Sequence, residues 1–309
     1  MWARAAIVGI TLALLAGCER PNHYLIHPRE PAPDVATWQA DFGRDQLQVH
    51  LEGARPPGLG PFPTVLVLPE EDHVAVDMHG VTWDLASRGY VAIAADYKRR
   101  IEGRYRRNYF AWRSTGDLEL LLDATRAYRE VDQDRLGVLG FSEGAVVGLL
   151  VAAHDPDRIK AVVAYSPITD FPRWYDSGQS GLSPTRVLVE LARWQLRVDS
   201  GAPNHEEFER MLRLASPLYM AEYVRAPVLL VHGADDKLAP PEESERMADA
   251  LKAAGVTTKL VVVPGGERLF NFRQEHQAIV AWNATLDWLD RYLRPAPHVT
   301  EQASAGAAP

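Results

Sequence analysis

The residues with the clearest chemical potential are Gly140-Phe141-Ser142-Glu143-Gly144, set between a short apolar run at 136–139 and a longer one at 145–153. The first run suits a buried parallel strand and the second a buried helix. A serine on a strand-to-helix turn is forced into strained backbone geometry. Glycines flank it because a Cβ at either place would strike the strand or the helix. The hydroxyl then stands above the sheet edge, and the positive end of the helix points at whatever carbonyl it attacks. Ser142 is therefore the candidate nucleophile. A serine hydroxyl is weakly nucleophilic near neutral pH, so it needs a base, and the base needs an orienting acid.

The elements that could hold such a turn recur along the chain. Apolar runs at 64–68, 90–95, 159–164, 228–231 and 259–263 read as buried strands. Residues 46–51 alternate, with Leu47, Val49 and Leu51 apolar, so a half-exposed antiparallel strand is expected there. Helices are expected near 76–88, over 114–128 and from 274 to 293. This alternation implies an α/β fold, a mostly parallel sheet of about eight strands with helices on both faces. Function in such sheets gathers at the carboxyl ends of the strands. No internal repeat and no glycine-rich phosphate loop is present; Gly265-Gly266 reads as a turn. The irregular stretch 172–223, with a helical centre around 186–197, is expected to form a cap that sets specificity.

The chain's 309 residues suffice for one large domain or two small ones with an ample core. A net charge of -8 argues against general nucleic-acid binding. The single cysteine excludes an internal disulfide framework and any CxxC metal or redox motif, and no metal or organic cofactor is implied. Its position is informative. Arg4 precedes an apolar run at 5–16 that is too short to span a bilayer as a helix but suits a signal peptide. Leu15-Ala16-Gly17-Cys18 resembles the lipobox of bacterial lipoproteins. That resemblance implies removal of 1–17, lipid on Cys18, and a place in the bacterial cell envelope; Glu19 resembles lipoproteins sent on to an outer membrane. Several acyl chains anchor stably, at about 0.8 kcal/mol per buried methylene. Residues 18–36, with Pro21, Pro28, Pro31 and Pro33, read as a tether. The folded domain is expected over 37–294 and a disordered Ala/Pro-rich tail over 295–309.

Three catalytic groups on this kind of fold follow the chain order serine, acid, histidine. The run at 228–231 leads into His232-Gly233-Ala234-Asp235-Asp236-Lys237-Leu238-Ala239-Pro240. Here the sequence resembles α/β-hydrolases of the dienelactone hydrolase and prolyl oligopeptidase type, from about 64 to 293. The segments VDQDRLGVLGFSEG, SPITDF and APVLLVHGADD carry the likeness. Those families show an HGxxDxxVP pattern whose acid falls on Asp236, with Asp235 and Asp170 as alternatives. The resemblance also implies an oxyanion hole built from the backbone N–H of Glu143 and one from the loop after 64–68. Pro69 has no N–H, which leaves Glu70 or Glu71. A glutamate at this place resembles dienelactone hydrolases, where it sits beside the nucleophile, and equally fits a solvated loop charge.

The third group departs from the pattern. The family shows PGxGHxF after the strand at 259–263, whereas this chain reads Pro264-Gly265-Gly266-Glu267-Arg268-Leu269-Phe270. Arg268 stands where the histidine should be, and arginine cannot act as a base near neutral pH. His276 is the nearest histidine downstream and the expected base, with His73 and His79 as alternatives. Asn271 and Gln274 are spaced as an N-cap and its capping-box partner. Phe272, His276, Ile279, Trp282, Leu286 and Leu289 recur at helical spacing, so His276 is expected on the face turned toward the fold. Lys98, Arg99, Arg100, Arg104, Arg106, Arg107 and Arg113 crowd one segment opposed only by Glu102. That segment suits a solvated or membrane-facing surface, or capture of an anionic substrate. Two functions fit: a membrane-tethered serine hydrolase cleaving an ester, thioester or peptide bond of a small-molecule or peptide substrate through an acyl-enzyme, or a non-catalytic binding protein on the hydrolase fold. Neither reading fixes an oligomeric state.

Overall fold

The computed structural model describes residues 26–294 apart from 45–46, 71–72, 98–99, 102–103, 106–118, 121, 124, 127, 178–189, 192, 195, 199 and 269. The expected signal peptide, Cys18, the tail at 295–309, Glu71 and most of the basic segment lie outside the described residues. So does most of the helix expected over 114–128.

Strands β1 (Ala36–Arg44) and β2 (Leu47–Arg55) form an antiparallel pair, followed by β3 (Phe62–Leu68) and a 3₁₀ turn (Ala75–Met78). Helix α1 (His79–Ser87) leads to β4 (Val91–Ala95) and a short ribbon of β5 (Arg100–Ile101) and β6 (Arg104–Tyr105). Next come β7 (Val131–Phe141), α2 (Glu143–His154), β8 (Ile159–Tyr165), α3 (Phe171–Asp176) and α4 (His205–Leu214). A second 3₁₀ segment (Pro217–Tyr223) precedes β9 (Val228–Gly233), α5 (Glu242–Ala253), β10 (Thr258–Val263), α6 (Phe270–Arg273) and α7 (Glu275–Leu293).

Eight strands make one sheet in the order β1-β2-β4-β3-β7-β8-β9-β10. Only β1–β2 and β2–β4 pair antiparallel; the rest run parallel. The chain goes from β3 outward to β4 and then crosses back to β7 on the other side of β3. The β3/β7 boundary is thus the point where strand order reverses, and such points open a crevice at the carboxyl edge of the sheet. β4 is buried throughout and β3 from Pro63 to Leu68, as strands covered on both faces must be. One face packs against α2 and α5 through Val146, Leu149, Leu150, Met247 and Leu251. The other packs against α1 and α7 through Val81, Leu85, Trp282 and Leu289.

Three expectations change. β1, placed within the tether and the start of the domain, is a strand: Trp38, Ala40 and Phe42 alternate with polar neighbours, and it pairs with β2. β10, expected to be buried, is an edge strand whose residues are largely half-exposed or exposed, because no described strand pairs beyond it. The tether expected to 36 ends sooner. His27 is buried against α1 and α7, edge-on to Trp282 at 4.3 Å and with Nδ1 3.5 Å from Asp84 Oδ2. Gly80 makes room for it, since a Cβ there would lie 2.9 Å from His27 Cβ.

The described part of the expected cap includes α3, α4, the second 3₁₀ segment and helical residues between 190 and 200. Phe171, Trp174, Phe208, Met211 and Leu212 join the core on the α2/α5 face. Arg193, 8% exposed, donates to the carbonyls of Trp174 and Ser177, and so fastens the cap's helical centre to α3.

Candidate active site

Ser142 links β7 to α2 with φ 50° and ψ -110°, a left-handed backbone that L-residues adopt only under constraint. The constraint is visible on both sides. A Cβ on Gly140 would lie 2.3 Å from Gly144 O, and one on Gly144 would lie 2.3 Å from Leu68 O and 2.6 Å from Pro69 O. The Ser142 N–H donates to Tyr165 O at 2.8 Å, which ties the turn to the end of β8. The residues at 140–144 therefore form the strained turn that their spacing predicts, at the crevice where strand order reverses.

Glu143 contributes the first backbone N–H of α2, and the first N–H groups of a helix have no acceptor within it. On the other side of the crevice the end of β3 presses against Gly144, and the Tyr97 hydroxyl donates to Pro69 O at 2.8 Å. Glu70 follows directly. It is 5% exposed, and its Oε1 lies 2.8 Å from Nδ1 of the equally buried His73. Glu70 is thus an anchored carboxylate rather than a solvated loop charge.

Asp236 lies in the loop after β9, 3% exposed. Its Oδ1 accepts from the N–H groups of Leu238 (2.9 Å) and Ala239 (3.0 Å), while Oδ2 has no hydrogen-bond partner among the described residues. His232 braces this loop from within. Its Nε2 donates to Ala239 O at 2.7 Å and its Nδ1 accepts from the Ser244 hydroxyl at 2.7 Å. Burial holds the His232 imidazole below its ordinary pKa, and the Arg268 charge pushes the same way. The Trp174 indole N–H donates to Leu238 O at 2.8 Å, so the cap grips the same loop. The alternatives to Asp236 have other work. Asp235 is exposed, and its N–H donates to Gly266 O. Asp170 caps α3 by accepting from Arg173 N, accepts from the Tyr219 hydroxyl, and pairs with Arg246 at 2.6 Å.

The loops after β9 and β10 interlock. Asp235 N donates to Gly266 O at 2.8 Å, and a Cβ on Gly233 would lie 2.3 Å from that same oxygen. The Gln274 side chain braces the second loop, accepting from Glu267 N and donating to Gly265 O. This arrangement delivers Arg268 to Ser142: its Nη2 donates to Ser142 Oγ at 3.3 Å. Ser142 Oγ has no other hydrogen-bond partner among the described residues.

His276 is placed otherwise than its spacing suggests. It is exposed in the first turn of α7, and Ile279 is 42% exposed. The buried stripe runs through Ala278, Ala281, Trp282, Thr285, Trp288, Leu289 and Leu293, which leaves His276 off the packed face. No hydrogen bond joins it to Ser142 or Asp236 among the described residues. The helix also begins differently: α6 ends at Arg273, and Gln274 spends its side chain on the loop rather than on a capping box. His73 meets Glu70, while His79 meets Glu52 at 3.0 Å and stacks on Trp83. The structure thus brings Ser142, Arg268 and the Asp236 loop together, and leaves His276 outside. Sequence reasoning missed Trp174 and Tyr97, and gave Gln274 a capping role in place of its bracing one. Each acts through a contact between segments distant along the chain, and no local pattern signals that.

A strained serine on the strand-to-helix turn of this sheet order marks the α/β-hydrolase fold. Within it, the chain belongs to the prolyl oligopeptidase family, whose profile matches residues 78–296. A Salmonella typhimurium protein provisionally named as a carboxymethylenebutenolidase is 30% identical over 254 residues, covering 75% of this chain and 78% of its own. Among solved structures, a provisionally named dienelactone hydrolase from Klebsiella pneumoniae superposes with a TM-score of 0.62 at 24% identity, over 84% of this chain and 99% of its own. A puromycin-hydrolyzing peptidase from Mycobacterium tuberculosis gives 0.69 at 21% identity, over 88% of this chain and 42% of its own. These two structures speak to the fold.

Proposed function

We propose that the chain is a serine hydrolase that cleaves an ester, thioester or peptide bond by transferring the acyl group to Ser142, with Asp236 as the acid of the site. The oxyanion is held by the backbone N–H of Glu143 and one from Glu70 or its neighbour. The observation that carries this reading is the strained Ser142 at the head of α2, pinned by two glycines against the end of β3. No other described serine combines a left-handed turn with the N-terminus of a long helix; Ser166, at φ 45°, is separated by a loop from the short α3. The relatives' names supply the reaction class, and the substrate is a small molecule or peptide admitted beneath the cap. The enzyme is held at a membrane of the bacterial envelope by lipid on Cys18. Among the described residues no helix is long and apolar enough to cross a membrane. Reaction with an active-site serine phosphonate tests the proposal: wild type acquires one adduct on a peptide containing Ser142, and Ser142→Ala acquires none. Persistent labelling of that variant would mean another nucleophile. Mass spectrometry of the membrane fraction tests the anchor through a lipid-shifted Cys18 peptide, and an unmodified Cys18 refutes it.

A second reading, a non-catalytic binding protein, is favoured by one observation. Arg268 rather than a histidine meets Ser142 Oγ. Wild-type protein that is folded yet inert to the phosphonate would establish it.

A further inference from the structure

Resting on the acyl-enzyme reading above, we infer that this site cleaves only acyl donors whose leaving group departs as a stable anion, aryl esters and thioesters, with Arg268 activating Ser142 by charge. Alkyl esters and peptides lie outside its reach.

The contact that matters is a guanidinium donating to the nucleophile's own oxygen at 3.3 Å. A fixed positive charge beside an ionisable group favours its anion, so Arg268 stabilises the Ser142 alkoxide. Arginine carries only donors and stays protonated, so it cannot accept the serine proton. In a histidine site the imidazole takes that proton and hands it to the leaving group. Here no imidazole bonds to Ser142 Oγ among the described residues, and the buried Asp236 Oδ2 has no hydrogen-bond donor to orient. The half of the machinery that stabilises negative charge is in place, and the half that moves a proton is not.

The chemistry balances with water and hydroxide as the only co-reactants. Solvent hydroxide takes the Oγ proton and becomes water. The oxygen lone pair forms the new C–O bond while the carbonyl pair moves onto the oxyanion. When the carbonyl re-forms, the bond to the leaving group breaks, and the pair departs with it as aryloxide or thiolate. Hydroxide then adds to the acyl carbon, the C–Oγ bond breaks, and Ser142 leaves as the alkoxide that Arg268 stabilises. Water reprotonates it, and the carboxylic acid gives up its proton to solvent. Phenols and thiols ionise near about 10 and 8.5, so their anions leave unaided. An alkoxide is closer to hydroxide, whose parent water ionises near about 15.7. An amine must be protonated before it can leave.

The test uses one acyl group, butyryl, carried on nitrophenol, phenol, thiophenol, ethanol and nitroaniline, with initial rates from about pH 6 to about pH 9. The expected result is Ser142-dependent turnover of the aryl esters and thioester, rising about tenfold per pH unit with no break near about 6.5. The ethyl ester and anilide should not exceed the Ser142→Ala background. Arg268→Gln, which keeps a donor but no charge, should lose about tenfold or more on the aryl esters. Arg268→His should introduce a break near about 6.5 and raise ethyl ester turnover by about 10²-fold or more. Ser142-dependent cleavage of the anilide by wild type, or a wild-type break near about 6.5, would show a working histidine and overturn the inference while leaving the acyl-enzyme intact. Unchanged aryl ester rates in a folded Arg268→Gln would also overturn it. Failure of Ser142 to label or to turn over any donor would overturn the acyl-enzyme reading as well.

Discussion

Replacing Gly144 with alanine should damage both stability and chemistry, and the structure sets the scale. An ideal Cβ at Gly144 would lie 2.3 Å from Leu68 O and 2.6 Å from Pro69 O. Carbon and carbonyl oxygen ordinarily rest no closer than about 3.3 Å, so α2 and the end of β3 must separate by about 1 Å. Neither oxygen can yield cheaply. Leu68 is registered opposite Gly140 in the parallel ladder, and Pro69 O is held by Tyr97. Overpacking of this kind costs about 1–3 kcal/mol, and alanine's better helix propensity returns up to about 1 kcal/mol. The net expectation is a loss of about 1–2 kcal/mol. The same shift moves the Glu143 N–H away from the oxyanion position proposed for it, and a displacement of about 1 Å costs on the order of 10²-fold in rate. Gly148→Ala is the matched control in the same helix. Its Cβ would meet Val138 Cγ1 at 2.8 Å, a side chain rather than backbone, so it should stay within about 1 kcal/mol of wild type. Urea unfolding with constant slope measures the first effect and the rate of phosphonate labelling measures the second. Wild-type midpoint and labelling rate in Gly144→Ala would refute the argument, and equal damage from Gly148→Ala would place the cost in helix packing generally.

Further expectations follow from other buried contacts. Glu243 accepts from Thr169 N, Asp170 N and the Thr169 hydroxyl through one oxygen, Oε2, and burial raises its carboxyl pKa above the ordinary 4.5. Its ionisation therefore costs stability at neutral pH that is regained as pH falls through the raised value toward 4.5; Glu243→Gln, which can keep all three contacts, should flatten that part of the stability–pH curve. His27 has its pKa lowered by burial below 6.5, so docking of its segment is at full strength above 6.5 and weakens as pH falls from there toward the lowered value. Hydrogen exchange at 26–35 should quicken over that range in wild type, and His27→Ala should be fast throughout. Trp174→Phe removes the donor to the part-buried Leu238 O and should cost about 0.5–1.5 kcal/mol, read by urea unfolding.

Much of this protein is local in origin, and local features are written in the order of residues. The turn at 140–144 needs glycine on both sides of Ser142, and the apolar runs of β3, β4, β7, β8 and β9 announce strands covered on both faces. The Asp236 loop is likewise short-range: Asp236 takes its two N–H partners from residues two and three positions on. The departure at Arg268 was legible as a single residue out of pattern. Its consequence was not, because only the interlocking of the loops after β9 and β10, with Gln274 as brace, sets which way that guanidinium reaches. His276 shows the same limit. Its spacing with Trp282 and Leu289 admits it to a helix face that includes the core, but a period of 3.6 residues tolerates a shift of one position. The stripe that α7 buries is chosen by the far side, where Tyr165 bonds Thr285 and Asp84 bonds Trp282. Helical periodicity defines a face only to within that one position, whereas burial and hydrogen bonding to distant strands pick one orientation, and that choice left the expected base in solvent.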